Sequence, residues 1–132
     1  MAYRTRDMQE YHDRVIEIAA ENLRNNFTVY TNPGNQRLTS VGNSQLYPDI
    51  ILTLKMDNII QYIIEVETID SVTYTEVNQW KQFSAFGGVF YLMVPREVRE
   101  KAENLCRTYG INSIKFATYW VDNFNNLQID YE

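Results

Sequence analysis

Several residue types are scarce in this sequence of 132 residues. Its single cysteine, Cys106, excludes a disulfide within the chain and a zinc site built from cysteines. No apolar run approaches the roughly 20 residues that cross a bilayer, and the first residues lack the apolar stretch of a signal peptide. These absences predict an intracellular protein in a reducing compartment, the cytoplasm, without membrane contact.

Positive charge is also in short supply, since 12 Lys and Arg face 17 Asp and Glu for a net charge of -5. Proteins that hold nucleic acid over a broad surface usually carry a basic stripe, because phosphate neutralisation supplies most of the affinity. Three interpretations therefore remain open: nucleic acid is bound only locally, part of the negative charge forms a metal site, or the partner is not nucleic acid. Neither a glycine-rich phosphate loop nor a serine–histidine pair of recognisable spacing is present.

What is present predicts one folded domain over residues 1–132, because 45% of the residues are apolar and 22% are charged. Apolar spacing predicts a first helix whose inner face carries Met8, Tyr11, Val15, Ile18, Ala19 and Leu23. The predicted elements are helices over residues 6–25, from 73 or 75 to 86, and 96–109, with strands over 27–31, 47–54, 59–67, 89–94 and 111–121. The second and third strands form a hairpin, and the polar tail after residue 122 is an edge element. This order predicts an α/β fold in which helices cover both faces of a sheet.

Three acidic residues stand out in the predicted hairpin. Asp49 lies in YPDIIL, while Glu65 and Glu67 alternate with apolar residues in IIEVET. Glu65 and Glu67 therefore share one face of their strand, and neighbouring strands lie about 4.8 Å apart, within reach of Asp49. Unpartnered carboxylates are costly to bury and raise one another's pKa, and a hard divalent cation such as magnesium removes both penalties. The competing interpretation is that these acids mark solvent-exposed strand ends.

The pairing of YPDIIL with IIEVET resembles the metal-binding core of the PD-(D/E)XK nuclease superfamily, and the element order over roughly residues 6 to 120 is similar. The resemblance implies a restriction endonuclease-like core with a mixed central sheet, in the order α-β-β-β-α-β-α-β. It also implies a magnesium-dependent phosphodiesterase acting on DNA, with manganese as an alternative ion. Asp49, Glu65 and the backbone carbonyl of Val66 match the metal ligands.

Glu67 occupies the position of the motif lysine, and this departure bears on catalysis. The resemblance implies that Glu67 holds a second metal ion or orients the attacking water. Alternatively, Lys81 on the next helix supplies the positive charge of the missing lysine. Gln79, in QWKQF, is similar to the glutamine of a pattern found on that helix in some members of the superfamily. For both helix residues the competing interpretation is an ordinary structural or solvated position.

The first helix offers further candidates. The family often places an acid there, and Glu10, Asp13, Glu17 and Glu21 are available without a register to choose among them. His12 is the only histidine. It could take part in proton transfer or lie near the metal, but a solvent-exposed histidine is the commoner case. Five arginines and the polar loop 32–45 could contact DNA phosphates, or could simply be solvated. The arginines are Arg4, Arg6, Arg14, Arg24 and Arg37.

Two rival functions remain. One is a catalytically inactive member of the same fold that serves as a nucleic-acid or protein interaction module, and the missing lysine and acidic charge favour it. The other is a structural subunit of a complex. A homodimer is a further expectation to test, because a minimal core makes few contacts with DNA and two copies double them.

Overall fold

The computed structural model describes residues 4–34, 37–41 and 45–132. Within these residues, six strands form one sheet and three α-helices pack on it. The helices are α1 (Arg6–Leu23), α2 (Val77–Ser84) and α3 (Arg99–Thr108), and short 3-10 turns at Tyr74–Glu76 and Arg96–Val98 precede the last two. The strands are β1 (Phe27–Thr31), β2 (Ile50–Leu54), β3 (Ile60–Val66), β4 (Val89–Pro95), β5 (Lys115–Val121) and β6 (Leu127–Tyr131).

The sheet is mixed, and its strands lie side by side in chain order. β1, β2 and β3 form an antiparallel meander, β3, β4 and β5 run parallel, and β6 returns antiparallel beside β5. The parallel pairs follow from the helices between them, because parallel strands need a crossover connection. The α/β class and the β2–β3 hairpin are confirmed, and the polar tail supplies the edge strand β6.

Apolar side chains form one core on each face of the sheet. On one face, Val15 and Ile16 of α1 pack against Ile64 and Met93. On the other face, Trp80 and Phe83 of α2 pack with Ala102 and Cys106 of α3 against a cluster that includes Ile51, Ile63, Phe90, Leu92 and Val94. Adjacent residues such as Ile63 and Ile64 belong to different cores because side chains alternate along a strand. The prediction of helices on both faces is therefore confirmed.

The buried stripe of α1 differs from the predicted one. It consists of His12, Val15, Ile16, Ala19 and Ala20, whereas Tyr11 is 37% exposed and Ile18 is only half-buried. This stripe keeps the spacing of three and four residues but is rotated around the helix, so that small alanines face the sheet and a polar histidine is buried. Within the part of the chain that the structure describes, no helix is both long enough and apolar enough to span a membrane.

Candidate functional site

Asp49 and Glu65 meet at the end of the β2–β3 hairpin. The register pairs Ile50 with Ile64, so Asp49 and Glu65 face each other one step further along. The Asp49 amide donates to Glu65 Oε1 at 3.1 Å, and the Val66 amide donates to Asp49 Oδ2 at 2.7 Å. Both residues are largely buried, at 7% and 8% exposed. The sequence prediction that these two acids come together agrees with this geometry.

Asp49 lies one residue before β2, so strand alternation does not set the direction of its side chain. Its carboxylate reaches the Val66 amide and also contacts His12 on α1, which packs on the face opposite α2. Glu65 and Glu67 instead share the alternation of Ile63, which faces α2. The side chain of Asp49 therefore points toward α1, whereas Glu65 and Glu67 follow the strand face that is covered by α2.

The environment of Glu65 disfavours its ionised form. Burial, followed by the negative charges of Asp49 and Glu67, raises the pKa of Glu65 well above its usual range. The ionised form of Glu65 is disfavoured because burial removes its hydration and the nearby negative charges repel it.

His12 is part of this site, and the interpretation of a surface histidine is wrong. The residue is 2% exposed, and its Nε2 lies 3.1 Å from Asp49 Oδ2, while Nδ1 lies 3.0 Å from Asp13 Oδ1. Burial lowers the pKa of His12, but the charge and hydrogen bond of Asp49 outweigh that effect and raise it overall. The signal in the sequence was its spacing, since His12 precedes the apolar residues Val15 and Ile16 by three and four positions.

Asp13 links the site to the polar loop that follows β1. Its Oδ1 accepts from the Gly34 amide at 2.8 Å, in addition to its contact with His12. Gly34 has a φ of +60°, a conformation that glycine adopts without strain. Asn32 donates to the Pro48 carbonyl at 2.7 Å and so fixes the residue beside Asp49. Among the first-helix acids, Asp13 is therefore the one that supports the site.

Glu67 has a different environment from the pair. Its Oε1 accepts from Arg4 at 3.0 Å and from Ser71 at 2.8 Å, and its Oε2 accepts from the Trp80 indole at 2.7 Å. Burial raises the pKa of Glu67 to about 7, although the hydrogen bonds of Trp80 and Ser71 and the charge of Arg4 lower it, and Glu76 adds a smaller increase. Glu67 thus ties the segment before α1 to α2, and a role as metal ligand stays a prediction.

Arg4, one of the arginines predicted to contact phosphate, is buried and hydrogen-bonded within the protein. Its side chain is 5% exposed, and besides Glu67 it donates to Thr68 Oγ1 at 3.1 Å and to the Val66 carbonyl at 3.3 Å. The last contact places a guanidinium on the carbonyl that the motif assigns to the metal. The role of the Val66 carbonyl as a metal ligand stays a prediction. A metal ion at that oxygen would be repelled by the positive charge of Arg4.

The two α2 candidates lie apart from the hydrogen bonds of the site. Lys81 is exposed in the last turn of α2. Gln79 is half-buried, and its Oε1 is enclosed without a hydrogen-bond partner among the residues that the structure describes. An enclosed amide oxygen of this kind is uncommon and is compatible with a bound group. The predicted catalytic roles of Gln79 and Lys81 remain predictions.

Carboxylate oxygens such as those of Asp49 and Glu65 are of the kind that a hard divalent cation takes as ligands. Magnesium is commonly bound through one or two carboxylates, with water and substrate phosphate completing its shell. Over residues 4–34, 37–41 and 45–132, no group of three or more His, Cys, Asp and Glu is placed to hold a metal. Metal binding by Asp49 and Glu65 therefore stays a prediction, and Glu67 is held by its hydrogen bonds to Arg4, Ser71 and Trp80.

No protein-family model matches the chain, and no curated protein is significantly similar to it. The resemblance to PD-(D/E)XK nucleases therefore depends on the two motif segments and the element order.

Proposed function

We propose that the protein is a magnesium-dependent phosphodiesterase acting on DNA, with a restriction endonuclease-like core. One observation carries the proposal: two buried carboxyl groups, Asp49 and Glu65, meet at the end of adjacent strands, and burial and mutual repulsion raise the pKa of Glu65. Burying two carboxyl groups costs stability, and one or two carboxylates completed by water and phosphate are a common way to bind magnesium.

Each residue has a distinct task in this proposal. Asp49 and Glu65 hold the ion, which when bound supplies positive charge for the phosphate and lowers the pKa of an attacking water. The Val66 amide and His12 fix the orientation of the Asp49 carboxylate. Glu67 holds the end of β3 in place through Arg4 and Trp80, rather than serving as the missing lysine.

The test is cleavage of single-stranded and duplex DNA in magnesium or manganese, with Asp49→Asn and Glu65→Gln compared with the parent chain. Asparagine keeps an oxygen that accepts from the Val66 amide, so Asp49→Asn is gentler to the fold than Asp49→Ala. Both variants should lose at least 100-fold in cleavage rate, a range typical of removing one essential charge-stabilising group. Asp130→Asn and Glu100→Gln remove exposed carboxylates and serve as matched controls.

Calorimetric titration with magnesium gives a second readout. The parent should bind the ion, and Glu65→Gln should lose that binding while keeping its circular dichroism spectrum. Cleavage by Asp49→Asn or Glu65→Gln at the parental rate would contradict the proposal.

The alternative is a catalytically inactive interaction module of the same fold. It is favoured by the complete hydrogen bonding of Glu67 at the lysine position and by the exposure of Lys81. An inactive module would bind neither magnesium nor manganese at Asp49 and Glu65, so the same titration separates the two functions.

A further inference from the structure

A groove lies at the carboxyl ends of the three parallel strands, on the same sheet edge as the carboxylate pair. Its volume is about 420 Å³, and we call it the strand-end groove. The residues that define it here are Met8, Tyr11, Ile69, Arg96, Glu97 and Trp120.

Several planar side chains line the groove. The Arg96 guanidinium lies 4.4 Å from the centroid of the Trp120 ring, and the Tyr11 ring lies 6.0 Å from the buried Tyr119 ring at an interplanar angle of 47°. Arg96 is exposed, Trp120 is half-buried and Tyr11 is 37% exposed, so part of each planar group borders solvent. Aromatic rings and guanidinium planes are the surfaces on which proteins stack unpaired bases.

The charge of the groove favours a base over a phosphate. Among its lining residues Arg96 supplies one positive charge and the adjacent Glu97 one negative charge. A phosphate group would therefore meet no net positive charge in the groove. The binding of a neutral heteroaromatic ring does not depend on a net positive charge. Ile69, which is 50% exposed, adds an apolar wall that suits the same ligand.

The groove is also placed to act together with the carboxylate pair. Glu65 lies near the carboxyl end of β3, and Trp120 lies near the same end of β5, two strands away. Two strand spacings correspond to roughly 10 Å. Building on the proposed function, we propose that the strand-end groove binds the base of an unpaired nucleotide close to the phosphodiester that would be bound through the ion held by Asp49 and Glu65. The preferred substrate is then single-stranded DNA or a duplex with an unpaired end.

Binding in EDTA tests this inference separately from catalysis. The probe is a labelled oligothymidylate of about ten nucleotides, within the site size of single-strand binding folds, compared by fluorescence anisotropy with the same backbone carrying abasic residues. One stacked base contributes about 1–3 kcal/mol, so the parent should bind the base-bearing strand about 5- to 150-fold more tightly. Arg96→Lys keeps the charge and removes the plane, and should lose most of that preference. Arg24→Lys, at an exposed position outside the groove, should leave the preference unchanged.

The outcomes separate the two proposals. Equal affinity for base-bearing and abasic strands, or an Arg96→Lys variant that keeps the preference, would overturn the base-binding groove even if the protein cleaves DNA in magnesium. Base-dependent binding that Arg96→Lys abolishes would support the groove even if no cleavage is found, and the catalytic proposal alone would then fail.

Discussion

Removing Arg4 should destabilise the protein in a pH-dependent way. Arg4 and Glu67 form an ion pair with side chains 5% and 1% exposed, and breaking a buried pair on one side leaves an uncompensated charge. The perturbation is Arg4→Met, which keeps the apolar stem and deletes the guanidinium. Because Glu67 then lacks its cation, its pKa rises further and the carboxyl group stays protonated in the folded variant.

The magnitude follows from the pKa of Glu67, which is about 7 in the parent. At pH 8.5 ionisation of Glu67 lowers the free energy of the folded parent by about 2 kcal/mol relative to a folded variant that keeps the proton, because each pH unit above the pKa contributes about 1.4 kcal/mol. Loss of the Arg4 hydrogen bonds to Thr68 and the Val66 carbonyl adds about 1–2 kcal/mol at any pH. Arg4→Met should therefore be destabilised by about 3–4 kcal/mol at pH 8.5 and by about 1–2 kcal/mol at pH 5.5.

Urea unfolding at the two pH values measures this difference. Arg6→Met is the matched control, since the Arg6–Glu10 pair has side chains 91% and 68% exposed and contributes at most about 1 kcal/mol. An Arg4→Met destabilisation that is equal at both pH values, or larger at pH 5.5, would refute the ionic role of Arg4.

Three further predictions concern the same buried network. Trp80→Phe removes the donor to Glu67 Oε2 and should destabilise the fold by about 1–3 kcal/mol beyond its small loss of packing, measured by urea unfolding. Tyr119→Phe removes the hydroxyl that donates to the Glu67 carbonyl at 2.6 Å and should lose about 1 kcal/mol, whereas Tyr91→Phe, whose hydroxyl bond is exposed, should change stability by less. The raised pKa of Glu67 means that its stabilisation is complete below pH 4.5 and declines as the pH rises to about 7. The free energy of unfolding of the parent, relative to Glu67→Gln, should therefore fall by about 3 kcal/mol between pH 4 and pH 8, and a flat difference would contradict the pKa.

Much of the fold was predictable because local signals agreed with tertiary packing. The strand at Phe27–Thr31 has its predicted bounds, and Gly110 ends α3 with a φ of +74°, as expected of a glycine after a helix. The mixed sheet follows from helices inserted between some strands and a tight turn between others. Strand ends were less predictable: the sequence predicts a strand from residue 47, whereas the ladder of β2 begins at Ile50.

The candidate site was predictable only in part. The meeting of Asp49 and Glu65 follows from the hairpin, because strand register is a local property. The positions of His12 and Arg4 do not follow from it, since each reaches the site from an element distant in the chain. The sequence favours a surface position for His12, because isolated polar residues usually lie there, and for Arg4 it offers either a contact with phosphate or a solvated position.

By itself, the sequence determined the alternation, turns and helix ends that bring two acids to one end of a hairpin, because those features depend on neighbouring residues. Only the tertiary structure decided that Glu67 is engaged by Arg4, Ser71 and Trp80, and that His12 backs Asp49. The physical reason is that a buried carboxyl group takes whichever donors the packed elements bring to it, and that choice depends on how α1 and α2 lie against the sheet.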